Sequence, residues 1–151
     1  MKKFLLFFAL LGLVACGDDE IELSDGTLSG TLNGQSWTFQ GGVAKRGGPD
    51  GLRITLADYE EEDPCAISAY DDMPNIWWFA PDEPTERELG LQETVVFQVP
   101  ENEDDTFGIS KNVTDGLFVI DQVGPDVVSG GLIASGFGDS VDGQWEVPLC
   151  E

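Results

Sequence analysis

From Gly26 onward, apolar positions recur with a period of two rather than 3.6, in short runs broken by glycine, proline, asparagine and aspartate. Residues 27–32 alternate in this way and reach Asn33-Gly34, and a second alternating run follows over 35–40. Asn-Gly between two such runs predicts a hairpin, because both central residues of a type I′ turn take positive φ. The glycines at 47, 48 and 51 around Pro49-Asp50 predict a further turn, leading into a strand over 52–57. The same alternation gives strands over 65–70, 75–79, 94–99, 107–110, 117–123, 127–134 and 144–149. One stretch, 84–89, is expected to form a short helical turn. About 8–10 short strands at this spacing predict an all-β fold, a single antiparallel β-sandwich or small barrel, immunoglobulin-like or jelly-roll-like.

A faint internal echo runs through this pattern. Leu28-Ser29-Gly30-Thr31-Leu32 before Trp37 resembles Val128-Ser129-Gly130-Gly131-Leu132 before Asp142-Gly143-Gln144-Trp145. Each copy is a strand with a central glycine and a Trp-bearing return strand. The expectation is two similar hairpins, one on each half of a sandwich, with the second turn at Asp142-Gly143.

The longest apolar run breaks the period-two pattern and sits at the start, over residues 4–14, behind Lys2 and Lys3 and ahead of Ala15 and Cys16. Positive charge, apolar run and small residue, in that order, make a secretory signal peptide. The run has 11 residues, whereas a membrane-spanning helix needs about 20. Leu13-Val14-Ala15-Cys16 resembles the lipobox of bacterial lipoproteins. That resemblance implies cleavage before Cys16 and a diacylglyceryl group on its thiol, handled by the lipoprotein-processing machinery. Two or three acyl chains suffice for stable anchoring, where one chain gives only marginal binding. The acidic Asp18-Asp19-Glu20 that follows is similar to the surface-export signal of Bacteroidota lipoproteins, although the usual Lys or Gln is missing. Residues 1–15 are therefore expected to be a cleaved signal, 16–25 an acidic tether, and 26–151 the β domain. The location implied is the outer membrane of a Gram-negative bacterium, on its periplasmic or outer face. The body resembles small β-sandwich lipoproteins of such bacteria through Leu32-Asn33-Gly34-Gln35-Ser36-Trp37, Asp63-Pro64-Cys65 and Val147-Pro148-Leu149-Cys150.

Charge narrows the chemistry. The chain carries 29 Asp and Glu against 7 Lys and Arg, has no histidine, and has a formal net charge of -22. Nucleic-acid binding is not expected, since it requires a basic patch to neutralise phosphates. Without His there is no Ser-His-Asp or Cys-His catalytic group and no histidine zinc site. With Cys16 assigned to lipid, Cys65 and Cys150 form an even pair in a chain that leaves the cytoplasm, and they are expected to form a disulfide.

Two features remain as candidate chemistry. The acidic runs at 58–63, 71–72 and 101–105 match no EF-hand spacing. They are expected to be solvated loop charge, with Asp104 and Asp105 the candidates for weak Ca2+ binding and no other cofactor. Trp77 and Trp78 are adjacent, and on a strand consecutive side chains face opposite ways, so one indole must leave the core. An outward ring is either covered by the 81–90 loop or offers a flat face to a sugar. No catalytic pair stands out among the carboxylates. The function expected is a lipid-anchored, non-enzymatic envelope lipoprotein. The alternatives are a surface module binding carbohydrate or peptide and, more remotely, a carboxylate-based hydrolase.

Overall fold

A computed structural model describes residues 21–48, 51–69, 73–100 and 108–151. The leader at 1–15, Cys16, Asp104 and Asp105 lie outside the described residues. Among the described residues eleven strands form: β1 (Ser29–Leu32), β2 (Gln35–Thr38), β3 (Gly41–Gly48), β4 (Gly51–Ala57), β5 (Asn75–Pro81), β6 (Thr85–Glu88), β7 (Val95–Val99), β8 (Ile109–Val113), β9 (Asp115–Val123), β10 (Val127–Gly136) and β11 (Asp139–Cys150). The all-β expectation holds, in the form of a strongly curled mixed sheet that makes a half-barrel. Along it the strands run β6-β9-β10-β11-β3-β4-β5-β7-β8, and β1 attaches to β11 with β2 beyond it. One wing is β6, β9, β10, β11, β1 and β2; the other is β3, β4, β5, β7 and β8. Only one pairing is parallel among these strands, between β11 and β3, and it spans Leu149↔Ala44 and Cys150↔Lys45.

Alternation fills the concave side. Leu52, Ile54 and Leu56 of β4, Ile76, Trp78 and Ala80 of β5, and Val95, Phe97 and Val99 of β7 face Phe118, Ile120, Val128, Leu132, Trp145 and Val147 across the interior. Trp78 bridges the wings, edge-on to Trp145 at 5.5 Å and tilted against Phe118 at 6.1 Å. A smaller cluster of Val43, Ile67 and Cys150, with Tyr59 against it, lies outside this core.

The echo has a structural cause, but its placement and turn differ from expectation. Gly30 lies directly across from Trp37, and Gly130 directly across from Trp145. A Cβ on Gly130 would meet the backbone oxygen of Val119 and stand 3.0 Å from the Trp145 ring, and a Cβ on Gly30 would meet the backbone of Ser140, so both positions need glycine for close approach of a neighbouring strand. The hairpins do not occupy opposite halves. They are neighbours, with Gly30 of β1 paired to Val141 of β11, because β1 needs an unsatisfied edge and the start of β11 supplies it. The second turn is Phe137-Gly138 rather than Asp142-Gly143, and Gly143 lies inside β11.

Both hairpin turns have two residues and left-handed geometry: Asn33 and Gly34 at φ 54° and 73°, Phe137 and Gly138 at φ 57° and 84°. Asn and Gly tolerate that region, whereas other side chains incur roughly 1–2 kcal/mol there.

Three local expectations are overturned. Residues 65–69 are not a strand. Pro64 pre-sets helical φ, the Asp63 carboxylate accepts from the Cys65 N–H at 3.0 Å, and a 3-10 turn forms over Pro64–Ala66. Residues 85–88 are not helical but form β6, which covers β9 through Thr85↔Ile120 to Glu88↔Leu117. A short, charged Thr-Glu-Arg-Glu strand is the kind that can end a sheet without inviting further pairing. Finally, β3 runs through Gly41–Gly48, where glycines and basic residues gave no strand signal, and it is central, between β11 and β4.

Candidate functional site

Of the two adjacent tryptophans, Trp78 is the core residue, 1% exposed. Trp77 points to the convex face of β5, between Thr55 of β4 and Val96 of β7. It is half-buried and edge-on to Phe79 at 5.9 Å and 81°. The ring therefore has an aromatic neighbour on its own strand. The 81–90 segment runs on to β9, where Thr85–Glu88 is held by pairing. Trp77 borders neither of the two clefts described next.

Those clefts lie at the seam between the wings. Gln144 accepts from the Leu28 N–H and donates to the Gly26 carbonyl, each through its backbone. Parallel pairing with β3 begins only at Leu149. Between these points the open edge of β11 belongs to Glu146 and Pro148, since alternate residues along a strand direct their backbone groups to the same side. Proline at 148 has no N–H to leave unpaired there. Phe39 sits at this opening, its N–H on the Leu28 carbonyl and the Gln40 N–H on the Ala57 carbonyl, both at 2.9 Å.

On one side of Phe39 is an open cleft of about 440 Å³, bordered by Asp25, Thr27, Asp121, Gln144, Trp145 and Glu146. On the other is one of about 320 Å³, bordered by Gln40, Glu60, Glu61, Ile67, Glu146 and Pro148. Phe39 and Glu146 belong to both. None of the five carboxylates here has an ion-pair partner among the described residues. The buried indole N–H of Trp145 has no acceptor among them either. The result is an acidic groove with one aromatic face, suited to hydroxyl- or ammonium-bearing groups rather than to anions. Among the described residues no group of three or more His, Cys, Asp or Glu side chains converges as a metal site would need. The sequence pointed to Trp77 and Trp78, not to this seam. Its one readable trace was Glu146-Val147-Pro148, a proline inside a strand otherwise fit to be central.

Next to the seam, Cys65 and Cys150 are disulfide-bonded, with Cα atoms 5.9 Å apart and a sequence separation of 85. The bridge ties the 3-10 turn to the end of β11 at Cys150, one of the two β11 residues that pair with β3.

Compared with known protein families, curated proteins and solved structures, the chain matches none.

Proposed function

We propose that the protein is a lipid-anchored, non-enzymatic envelope module, tethered through Cys16 to the outer membrane of a Gram-negative bacterium. The observation that carries this reading is the Cys65–Cys150 disulfide, a bond that persists in oxidising compartments outside the cytoplasm. It agrees with an N-terminal segment that has the order of a lipoprotein signal. In this reading the two wings, packed face to face across Trp78 and Trp145, act as the layers of a sandwich. The test is metabolic labelling with an alkyne fatty acid together with membrane fractionation. Wild-type protein is expected to be labelled and membrane-bound, and Cys16→Ser to be unlabelled and either soluble or unprocessed. Unchanged partition and mobility of the variant overturns the reading.

A ligand-binding role on the cell surface is the second reading, and the acidic seam around Phe39 and Glu146 favours it over the tryptophan pair. Cationic peptides and neutral glycans are the ligand classes that fit. Titrations followed by tryptophan fluorescence are expected to report binding through Trp145 and to lose it in Phe39→Ala and Glu146→Gln. Binding that survives both changes but is lost in Trp77→Ala would return the site to the convex face of β5.

A further inference from the structure

The two-residue turns of this protein provide an internal comparison. Asn33-Gly34 and Phe137-Gly138 have nearly the same left-handed backbone, yet the first uses the residue that the geometry favours and the second uses phenylalanine. Most of the residue is nevertheless left in solvent, since Phe137 is 69% exposed. A large aromatic held at a disfavoured backbone position and left in solvent points to contact with something outside the domain.

A second exposed apolar side chain lies toward the same end. Leu91, 96% exposed, follows Leu89, whose N–H donates to the Gly116 carbonyl at 2.8 Å. Gly116 pairs with Ala134, three residues before Phe137, and Val113 packs against Gly136 from the other wing. Two acidic groups at this end are ion-paired, Asp139 with Lys111 and Glu93 with Arg87, while Asp115, which accepts from the Ser135 hydroxyl, and Glu88 are exposed. The opposite end of the same wing carries Asp121, Asp126 and Glu146, all exposed, and pressing those against lipid would strip water from unpaired carboxylates.

The tether is long enough to bring this end to a bilayer. Leu23 lies over Gly131, leaving no room for a Cβ there, and the Ser24 N–H donates to Asp142 Oδ1 at 3.0 Å. Seven residue steps from Cys16 to Leu23 cover at most about 25 Å, and the six steps from Gly131 to Phe137 cover about 20 Å of strand. A bilayer holding a lipid on Cys16 is thus within reach of the Phe137 end. We propose that the Phe137-Gly138 turn, with Leu91 toward the same end, is the membrane-contacting end of the molecule, and that the two side chains enter the headgroup region of the bilayer that holds the Cys16 lipid. This rests on the anchored reading above.

The test uses mature protein extracted from membranes and reconstituted into phosphatidylcholine nanodiscs carrying a gadolinium-chelate lipid. Mass spectrometry of the same preparation establishes whether Cys16 is lipidated. If it is not, the anchored reading fails by itself, and coupling the free Cys16 thiol to a maleimide phospholipid supplies the tether for the orientation measurement. Backbone amides of Phe137, Gly138 and Leu91 are expected to broaden at least threefold more than those of residues 124–126. Phe137→Asn/Leu91→Ser is expected to abolish that difference, while Phe137→Asn alone raises Tm. Equal broadening at the two ends, stronger broadening at 124–126, or a lowered Tm for Phe137→Asn overturns the proposal.

Discussion

Lys111 of β8 donates from Nζ to Asp139 Oδ2 at 2.7 Å, joining the last strand of one wing to the first residue of β11 in the other. The Asp139 side chain is 2% exposed and that of Lys111 18%, and the second Asp139 oxygen accepts from the Gly34 N–H at 3.3 Å. One buried carboxylate thus gathers β8, the first hairpin turn and the start of β11. Removing one member of a buried pair strands the other charge. Lys111→Met is expected to cost about 2–4 kcal/mol by denaturant unfolding. The double change Lys111→Met/Asp139→Leu should recover more than half of that. A Lys111→Met variant as stable as wild type would show that Gly34 alone satisfies Asp139.

The Cys65–Cys150 bridge closes a loop of 85 residues in sequence separation. Chain-entropy models put its contribution at about 4–5 kcal/mol, and measured values often fall below such figures. Cys65→Ala/Cys150→Ala is expected to lower unfolding free energy by about 3–5 kcal/mol. Hydrogen exchange should rise first at Ala44, Leu149 and Cys150, because the bridge backs the short ladder there. Uniform acceleration across β9 and β10 instead would mean that the bridge stabilises the whole sheet and not the seam.

The neighbouring tryptophans should separate by cost. Trp78→Ala opens a cavity between the wings, next to Trp145 and Phe118, and is expected to cost about 3–5 kcal/mol. Trp77→Ala removes a half-buried convex ring and should cost about 1–2 kcal/mol, in the ordinary range for a single substitution. Thermal unfolding of the two variants decides this, and equal losses would place Trp77 under cover.

Burial pushes the Asp58 carboxyl above its ordinary value, opposed by a backbone hydrogen bond, and its buried Oδ1 has no partner among the described residues. The folded state therefore holds this proton more tightly than the unfolded chain. Asp58 favours folding in acid, and that contribution falls as pH rises from the unfolded carboxyl value, near about 3.9, through the raised folded one. Asp58→Asn is expected to gain on wild type over that interval and then to hold a constant advantage towards neutral pH. Paired Tm measurements from acid to pH 7 test this; a flat difference would show that Asp58 titrates alike in both states.

The fold class was legible because alternation survives in β4, β5, β7, β9 and β10, whose inner faces are aliphatic or aromatic. Asn33-Gly34 fixed one hairpin, and the parity of Cys65 and Cys150 fixed the bridge. What escaped was decided by distant partners. β3 is built from glycines and charges and becomes a strand through β4 on one side and β11 on the other. β6 is polar throughout and extends because β9 has an edge to cover. Beyond the proline inside β11, the seam left no trace in the sequence, since Phe39, Glu60, Glu61 and Glu146 are brought together by the curl of the sheet.

Strand β11 comes last among the described strands, yet β10, β1 and β3 all bond to it. Until its residues emerge, β1 has only β2 for company, the two wings have no ladder in common, and Cys65 lacks its partner. Whatever order the other strands form in, the wings stay unjoined until β11 is in place, and its twelve residues then close the architecture like a drawstring.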